Sequence, residues 1–388
     1  MSALNEQIIA QTIRPRFSRV LARDEVYLAN HSLGRPLDVY QEDVIQALDA
    51  WPDLMDEAWS HWMKVLNEWT SGIAQLLHWP VSDGIIPKSS AGQGLRAVLN
   101  AYPNRPVKVV STTLEFDSID FVLKAYAEHG AATIDWVHPS SNEQGIPKFT
   151  AEDVLSRIAP GTDLVVLSLV FFTTGQVMPG VQEIITKAHS VGAKVVLDSY
   201  HAAGVIDFNY PEADFIVGGS YKYLRGGPGA CFLAVNPACY SMKTLDTGWF
   251  AKKDPFEFKR ENEPLRSEGG WGWYESTFSV IPLAQALPGL RFLLEVGVQN
   301  SRDYNLQTLG KIREILAQYG GFVPENPDEW AGYALFATPE FKKVIKRFRD
   351  EKIVVDGRQG LVRFGPDILT GSDDLNRLAE AARKVLHS

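Results

Sequence analysis

Three short stretches carry residue types that could do chemistry. In "GGSYKYLRGGPG" (218–229), Lys222 stands between two tyrosines, after a β-rich run and before a glycine cluster. An amine held there could act as a covalent catalyst on a small molecule that glycines allow to approach the backbone closely. The plainer reading is a solvated lysine at a strand end. In "KVVLDSYHAAG" (194–204), Asp198 closes an apolar run and His201 follows it by three residues. An aspartate in that place can hold a buried cation, or it can simply form a cap or a turn. In "PKSSAGQGL" (87–95), Ser89 and Ser90 precede Ala91, Gly92 and a helical pattern. Their hydroxyls and the N–H groups of the first helical turn could cradle an anion, although serine before a helix is also the usual N-cap.

The elements that must position these residues alternate along the chain. Runs rich in β-branched residues at 107–112, 131–137, 162–170, 193–199, 213–219 and 230–235 are mostly separated by segments of helical periodicity, clearest at 116–130 and 180–193. The strands read as continuous apolar runs, as expected when helices cover both faces of a sheet. This predicts an α/β domain with a mainly parallel sheet, in which ligands sit beyond the carboxyl ends of the strands, where the three stretches fall. An N-terminal segment (1–75) is helical with a tryptophan-rich face and packs on both domains. The large domain spans 76–285 and a smaller α+β domain 286–388. Within the latter, 287–320 reads as one long helix, followed by strand, turn, strand and helix at the end of the chain.

Composition narrows the function classes. The chain has 388 residues, 45% of them hydrophobic, enough for a large core and two domains. A formal charge of −9 excludes a sequence-independent grip on nucleic acid, which needs a basic face. The densest apolar run, "LVVLSLVFF", is far short of the ~20 residues that cross a bilayer, and the first residues lack the apolar centre of a signal peptide. A cytoplasmic protein with no membrane partner is expected. Cys231 and Cys239 cannot form a disulfide framework and lack the spacing of a metal site, so core packing is their expected role.

Together the three stretches have a chemistry that none has alone. Pyridoxal phosphate needs a lysine for its Schiff base, a carboxylate to keep its ring nitrogen protonated, and an anion cradle for its phosphate. Cradle, carboxylate and lysine occur in that order along one sheet. The sequence here resembles the class-V, fold-type-I pyridoxal-phosphate enzymes, and among them the kynureninases. The likeness runs from "VYLANHSLGRPL" (26–37), similar to the family's "YLDGNSLG" segment, through "FFTTGQ" (171–176), "LDSYHAAG" (197–204) and "SYKYLRGGPG" (220–229) to "LVRFGPDIL" (361–369).

The resemblance implies roles for individual residues. Lys222 would carry the cofactor and Asp198 would face its ring nitrogen, with His201 near the phenolic oxygen and Phe116, in "LEFDS", stacked on the ring. Tyr221 and Ser90, with Ser89 beside them, would bind the phosphate, and Tyr221 could also relay a proton. Thr277, in "WYESTFSVIP", would reach that site from a second subunit of a homodimer. Arg363 would clamp the substrate's α-carboxylate through a bidentate contact. Trp249, in "DTGWFAK", and His31 would contact the substrate. Unaided, the sequence makes Phe116 a core aromatic and Arg363 half of an ion pair. Phe250, Trp271, Trp273 and Tyr274 form an aromatic-rich region expected to be exposed at the interface between subunits.

The chain also departs from the kynureninase pattern. Phe172 and Thr173 replace a tyrosine pair, His31 replaces an asparagine, and "FSVIP" stands where the family has the segment that helps read the substrate ring. The implied reaction is hydrolysis of kynurenine to anthranilate and alanine. The alternative is another class-V reaction, transamination or lysis, on a different amino acid. A cysteine desulfurase is disfavoured, because no cysteine follows Cys239 to act as the nucleophile.

Overall fold

The computed structural model describes residues 4–386. Seven strands form the central sheet in the order Ile85–Lys88, Cys231–Val235, Phe215–Gly219, Lys194–Asp198, Leu164–Ser168, Val107–Thr112, Ala132–Val137. Five of them are parallel, and Cys231–Val235 runs antiparallel to both its neighbours. The predicted continuous apolar runs are buried along their whole length in the strands Leu164–Ser168, Phe215–Gly219 and Cys231–Val235. Helices Ala91–Leu99, Asp117–Glu128 and Val181–Ser190 supply the covering layers, each burying an apolar stripe.

The smaller unit holds an antiparallel sheet of Ala334–Ala337, Leu361–Phe364 and Asp356–Arg358. Its core is closed by helices Phe341–Asp350 and Ser372–Leu386 and by part of Val298–Ala317. The N-terminal segment contacts both units. Val26–Tyr27 pairs with Ile353–Val354 of the small unit, while helices Glu42–Leu54 and Ala58–Leu76 pack on helix Val280–Val296 beside the large core. Among the described residues no single helix is long and apolar enough to cross a membrane.

Three expectations need correction. The long helix foreseen over 287–320 is two helices, Val280–Val296 and Val298–Ala317, meeting at 82°. Gly297 makes the bend with a φ of 87°, a conformation that side chains disfavour. The large core therefore extends past residue 285, since Leu287, Leu290 and Leu293 belong to it. The aromatic region is not an exposed patch: Phe250, Trp273 and Tyr274 are buried, and Trp271 stacks on Tyr274 at 4.4 Å. Tryptophan and tyrosine rings bury the largest area available, so a loop rich in them builds its own core.

One close approach ties the N-terminal segment to the middle of the fold. Gly34 N–H donates to the Tyr221 carbonyl at 2.8 Å, and a Cβ on Gly34 would overlap the carbonyl oxygen of Lys222. The "HSLG" turn is thus seated on the backbone of the lysine motif. Gly34→Ala is expected to cost about 1–3 kcal/mol through overpacking against a backbone that cannot move aside. Thermal and denaturant unfolding of the variant would measure it, and wild-type stability would show that the turn lifts away freely.

Candidate active site

Lys222 follows the strand Phe215–Gly219, and Asp198 ends the neighbouring strand Lys194–Asp198, so sheet register alone brings them to one edge. Both are buried. Lys222 Nζ lies 2.5 Å from His201 Nε2. It also sits 4.8 Å from the ring centroid of Tyr200, 5.1 Å from Phe116 and 5.6 Å from Tyr221. Burial holds the lysine well below its ordinary pKa, against the pull of Asp198. Burial likewise raises Asp198, against the Tyr200 N–H, which its Oδ1 accepts at 2.8 Å, and against the charge of Lys222. Each group is pushed toward its neutral form because neither has a direct ionic partner.

His201 is held well below the usual range by burial first and by the Lys222 charge second. A neutral ring whose Nε2 accepts from the lysine carries its hydrogen on Nδ1, and Nδ1 is buried without a hydrogen-bond partner. The site thus offers a nucleophilic amine, a carboxylate lacking a cation and an imidazole donor lacking an acceptor.

The serine stretch shows its N-cap reading. Ser90 is the N-cap of helix Ala91–Leu99, its Oγ accepting from Gln93 N at 3.1 Å. Ser89 donates through N–H and Oγ to Gln93 Oε1 at 2.7 and 3.0 Å. Gln93 is in turn fixed by Glu275, which also pairs with Lys88 Nζ at 2.5 Å. A phosphate at this helix terminus would gain from its dipole and would compete with the Gln93 oxygen for Ser89.

Arg363 departs from the expected clamp. Its Nε and Nη2 donate to the two oxygens of Asp356 at 2.8 and 2.6 Å, so the bidentate edge is occupied. Nη1 donates to the Phe172 carbonyl, and the Tyr333 hydroxyl also bonds to the guanidinium. The unaided expectation of an ion pair describes this geometry better than a ready fork. His31 lies behind the pair, fully buried, with Nε2 2.6 Å from Asp356 Oδ1 and its ring 4.5 Å from Tyr333. Burial, followed by the Arg363 charge, drives its pKa down to about 4. His31 thus supports Asp356 from behind.

Trp249 and Thr277 bond to each other, Nε1 to Oγ1 at 3.2 Å. Trp249 packs among Trp59, Phe250, Phe256 and Phe258, and the structure does not bring it to Lys222. Thr277 lines a hollow shared with Lys88, Ser89 and Gln93, on the outer side of the serine turn.

Three residues of the site escaped the sequence reading: Tyr200, Asp356 and Glu115. Glu115 directly precedes Phe116 and is buried, accepting from Thr112 Oγ1 and Ser168 Oγ at 2.6 Å each. Ser168 is the register partner of Asp198, which places the two carboxyl groups at one end of the site. The available signal was an acidic residue beside a candidate stacking aromatic.

Fold and site together define a pyridoxal-phosphate enzyme of fold type I. The class-V aminotransferase family model matches residues 54–356, and the chain belongs to that family. Its cofactor is pyridoxal phosphate, which the unpartnered His201 nitrogen, the cation-free Asp198 and the helix terminus all fit. A kynureninase of Geobacillus thermodenitrificans is 22% identical over 386 residues, covering 94% of this chain and 89% of its own. Another, of Flavobacterium johnsoniae, is 25% identical over 377 residues, covering 90% and 88%. Among solved structures, the apo cysteine desulfurase of Thermococcus onnurineus superimposes with a TM-score of 0.83 at 16% identity over the full length of both chains. A cystine C–S lyase in complex with cysteine persulfide does so with 0.82 at 18% identity, covering 94% of this chain and 98% of its own. At these identities the structural likeness concerns the fold.

Glu115 gives a pH test. Burial raises its carboxyl from 4.5 to about 7, against the Ser168 and Thr112 hydrogen bonds and with the Asp198 charge adding to the rise. A carboxyl raised in the folded state favours folding fully below the unfolded value, and this contribution is lost as pH rises through 7. The apo protein is therefore expected to lose stability relative to Glu115→Gln between pH 4.5 and 7, by on the order of 3 kcal/mol. Denaturant melts across that range would show it. Parallel curves for the two proteins would mean that Glu115 is ionised throughout.

Proposed function

We propose that the protein is a hydrolase of kynurenine type, cleaving the bond between the β- and γ-carbons to release anthranilate and alanine. The observation that carries this reading is the set of kynureninases aligned over about nine-tenths of the chain, for which Lys222, Asp198 and His201 supply the shared chemistry. Bound pyridoxal phosphate supplies an electron sink for the carbanions at the α- and β-carbons.

The chain's own groups do the rest. The Lys222 amine is kept neutral by burial, so its Nζ can take the α-proton and return it, and His201 Nε2 at 2.5 Å orients it. Asp198 holds its negative charge against a ring cation and so keeps that nitrogen protonated. Tyr221, whose pKa burial raises, keeps its phenolic proton for phosphate binding or for relay. Arg363 attracts the α-carboxylate, which must compete with Asp356 for the Nε and Nη2 edge. Phe116 and Phe172, whose rings meet edge-to-face at 5.2 Å, form an apolar wall that would strengthen these electrostatic contacts, while one water must enter to add to the γ-carbonyl as the bond to the β-carbon breaks.

A second reading has its own support. "FSVIP" stands where kynureninases have the segment that helps read the substrate ring, and Phe172 and Thr173 depart from their tyrosine pair, which favours a class-V transamination or lysis on a different amino acid. Homodimerisation also belongs to the proposal. It is now motivated by Ile45, Leu48, Trp51 and Leu54, exposed along one face of helix Glu42–Leu54, and no longer by the buried aromatic loop.

The test is release of anthranilate, 3-hydroxyanthranilate and alanine from kynurenine and 3-hydroxykynurenine by cofactor-saturated protein. Kynurenine is expected to be used at least as well as its 3-hydroxy form, because no buried polar partner is left unpaired when the hydroxyl is missing. An α-keto acid or another cleavage product from a different amino acid, with neither aromatic product formed, would establish the second reading. In either case Arg363→Lys is expected to raise KM by about tenfold or more, since a point charge cannot hold Asp356 and a substrate carboxylate in one plane. An unchanged KM would place the carboxylate site elsewhere.

A further inference from the structure

Tyr200 has no role in the chemistry above, yet it joins the two ends of the site. Its ring centroid lies 4.8 Å from Lys222 Nζ, and its hydroxyl lies 3.4 Å from Cys231 Sγ. That thiol also takes a hydrogen bond from the backbone of Ala91, in the first turn of helix Ala91–Leu99. The phenol ring thus spans the path from the lysine amine to the anion cradle, which a cofactor anchored at both ends must also follow.

Several contacts fix the ring in place. Asp198 Oδ1 holds the Tyr200 N–H at 2.8 Å, and the Tyr221 ring packs against it with centroids 5.0 Å apart. Gly219 provides the space: a Cβ there would overlap the hydroxyl end of Tyr200. Phe116 approaches the same lysine nitrogen to 5.1 Å from a different element, the turn that opens helix Asp117–Glu128.

We infer that Tyr200 is a positioning residue that forms the floor of the cofactor slot, with Phe116 as its roof, so that the pyridine ring lies between two aromatic faces. A protonated pyridine is electron-poor, and the face of a phenol ring is electron-rich, so the pair attracts through both stacking and charge. Asp198 serves both partners, since its carboxylate fixes the tyrosine backbone and faces the ring nitrogen. The inference rests on the family's cofactor and is independent of the amino acid processed, so its test uses no substrate.

The experiment titrates full-length apo protein with pyridoxal phosphate, following cofactor absorbance and fluorescence, with apo melting temperatures measured alongside. Tyr200→Leu is expected to weaken cofactor binding about tenfold and to brighten cofactor fluorescence, because an aromatic quencher is lost. Tyr200→Phe, which keeps the ring and loses only the hydroxyl's bonds to Cys231 and Tyr221, is expected to stay within about twofold in affinity and unchanged in fluorescence. Gly219→Ala keeps the tyrosine but displaces it, and is expected to weaken binding as Tyr200→Leu does. A purely structural role would lower the melting temperature without the fluorescence change, and that result overturns the inference. So does unaltered affinity in Tyr200→Leu. Tighter binding in that variant overturns it too, because it would show the phenol ring occupying the cofactor's own place.

Discussion

An amine and a carboxylate buried side by side without a direct ion pair cannot both keep their charges at low cost, and the rest of this site is arranged around that constraint. Desolvation pushes Lys222 and Asp198 toward neutrality, each weakly opposed by the other. The conflict would disappear if a cationic ring nitrogen met Asp198 and the lysine nitrogen entered a covalent bond, so that binding would relieve the tension. Glu115 adds to the same tension from beyond Ser168, since a second buried carboxyl at that end further favours the arrival of a positive charge.

The scaffold that imposes this burial comes from three parts of the chain. The sheet places Asp198, Lys222 and the serine turn along one edge, as parallel strands with helical crossovers generally do for ligand-binding residues. The small unit contributes Arg363, and the N-terminal segment contributes His31 and Gly34. The large and small units meet at the Phe172 carbonyl, which accepts from both Arg363 and the Tyr333 hydroxyl. A buried main-chain oxygen with two donors from the small unit acts as a latch between the two units.

Legibility in the sequence followed how local the determining interaction was. The strand carrying Asp198 and the glycines flanking Lys222 are local patterns, and both were readable. Gly297 was hidden because helical periodicity continues on both sides of it, and only its positive φ breaks the helix. Tyr200 was passed over because a tyrosine between two polar residues on a loop carries no pattern, and its meaning comes from Gly219 on the neighbouring strand. The aromatic loop was misread because composition reports how many rings there are and not which way they face. Asp356 is seven residues from Arg363, and only the pairing of their two strands places them opposite each other.

That last pairing governs how the site can meet a substrate. Arg363 spends its bidentate edge on Asp356, so under the proposed function an entering α-carboxylate would replace a resident carboxylate instead of finding a free cation. Such an exchange conserves hydrogen bonds to the arginine and shifts the question to the displaced aspartate. Asp356 would keep His31 as a partner through that exchange, its Oδ1 lying 2.6 Å from His31 Nε2, while burial first and the Arg363 charge second hold the imidazole's pKa down to about 4. On that reading the histidine that stands in place of the family's asparagine would leave the displaced aspartate a hydrogen-bond partner, so the exchange would cost less than breaking a buried ion pair outright.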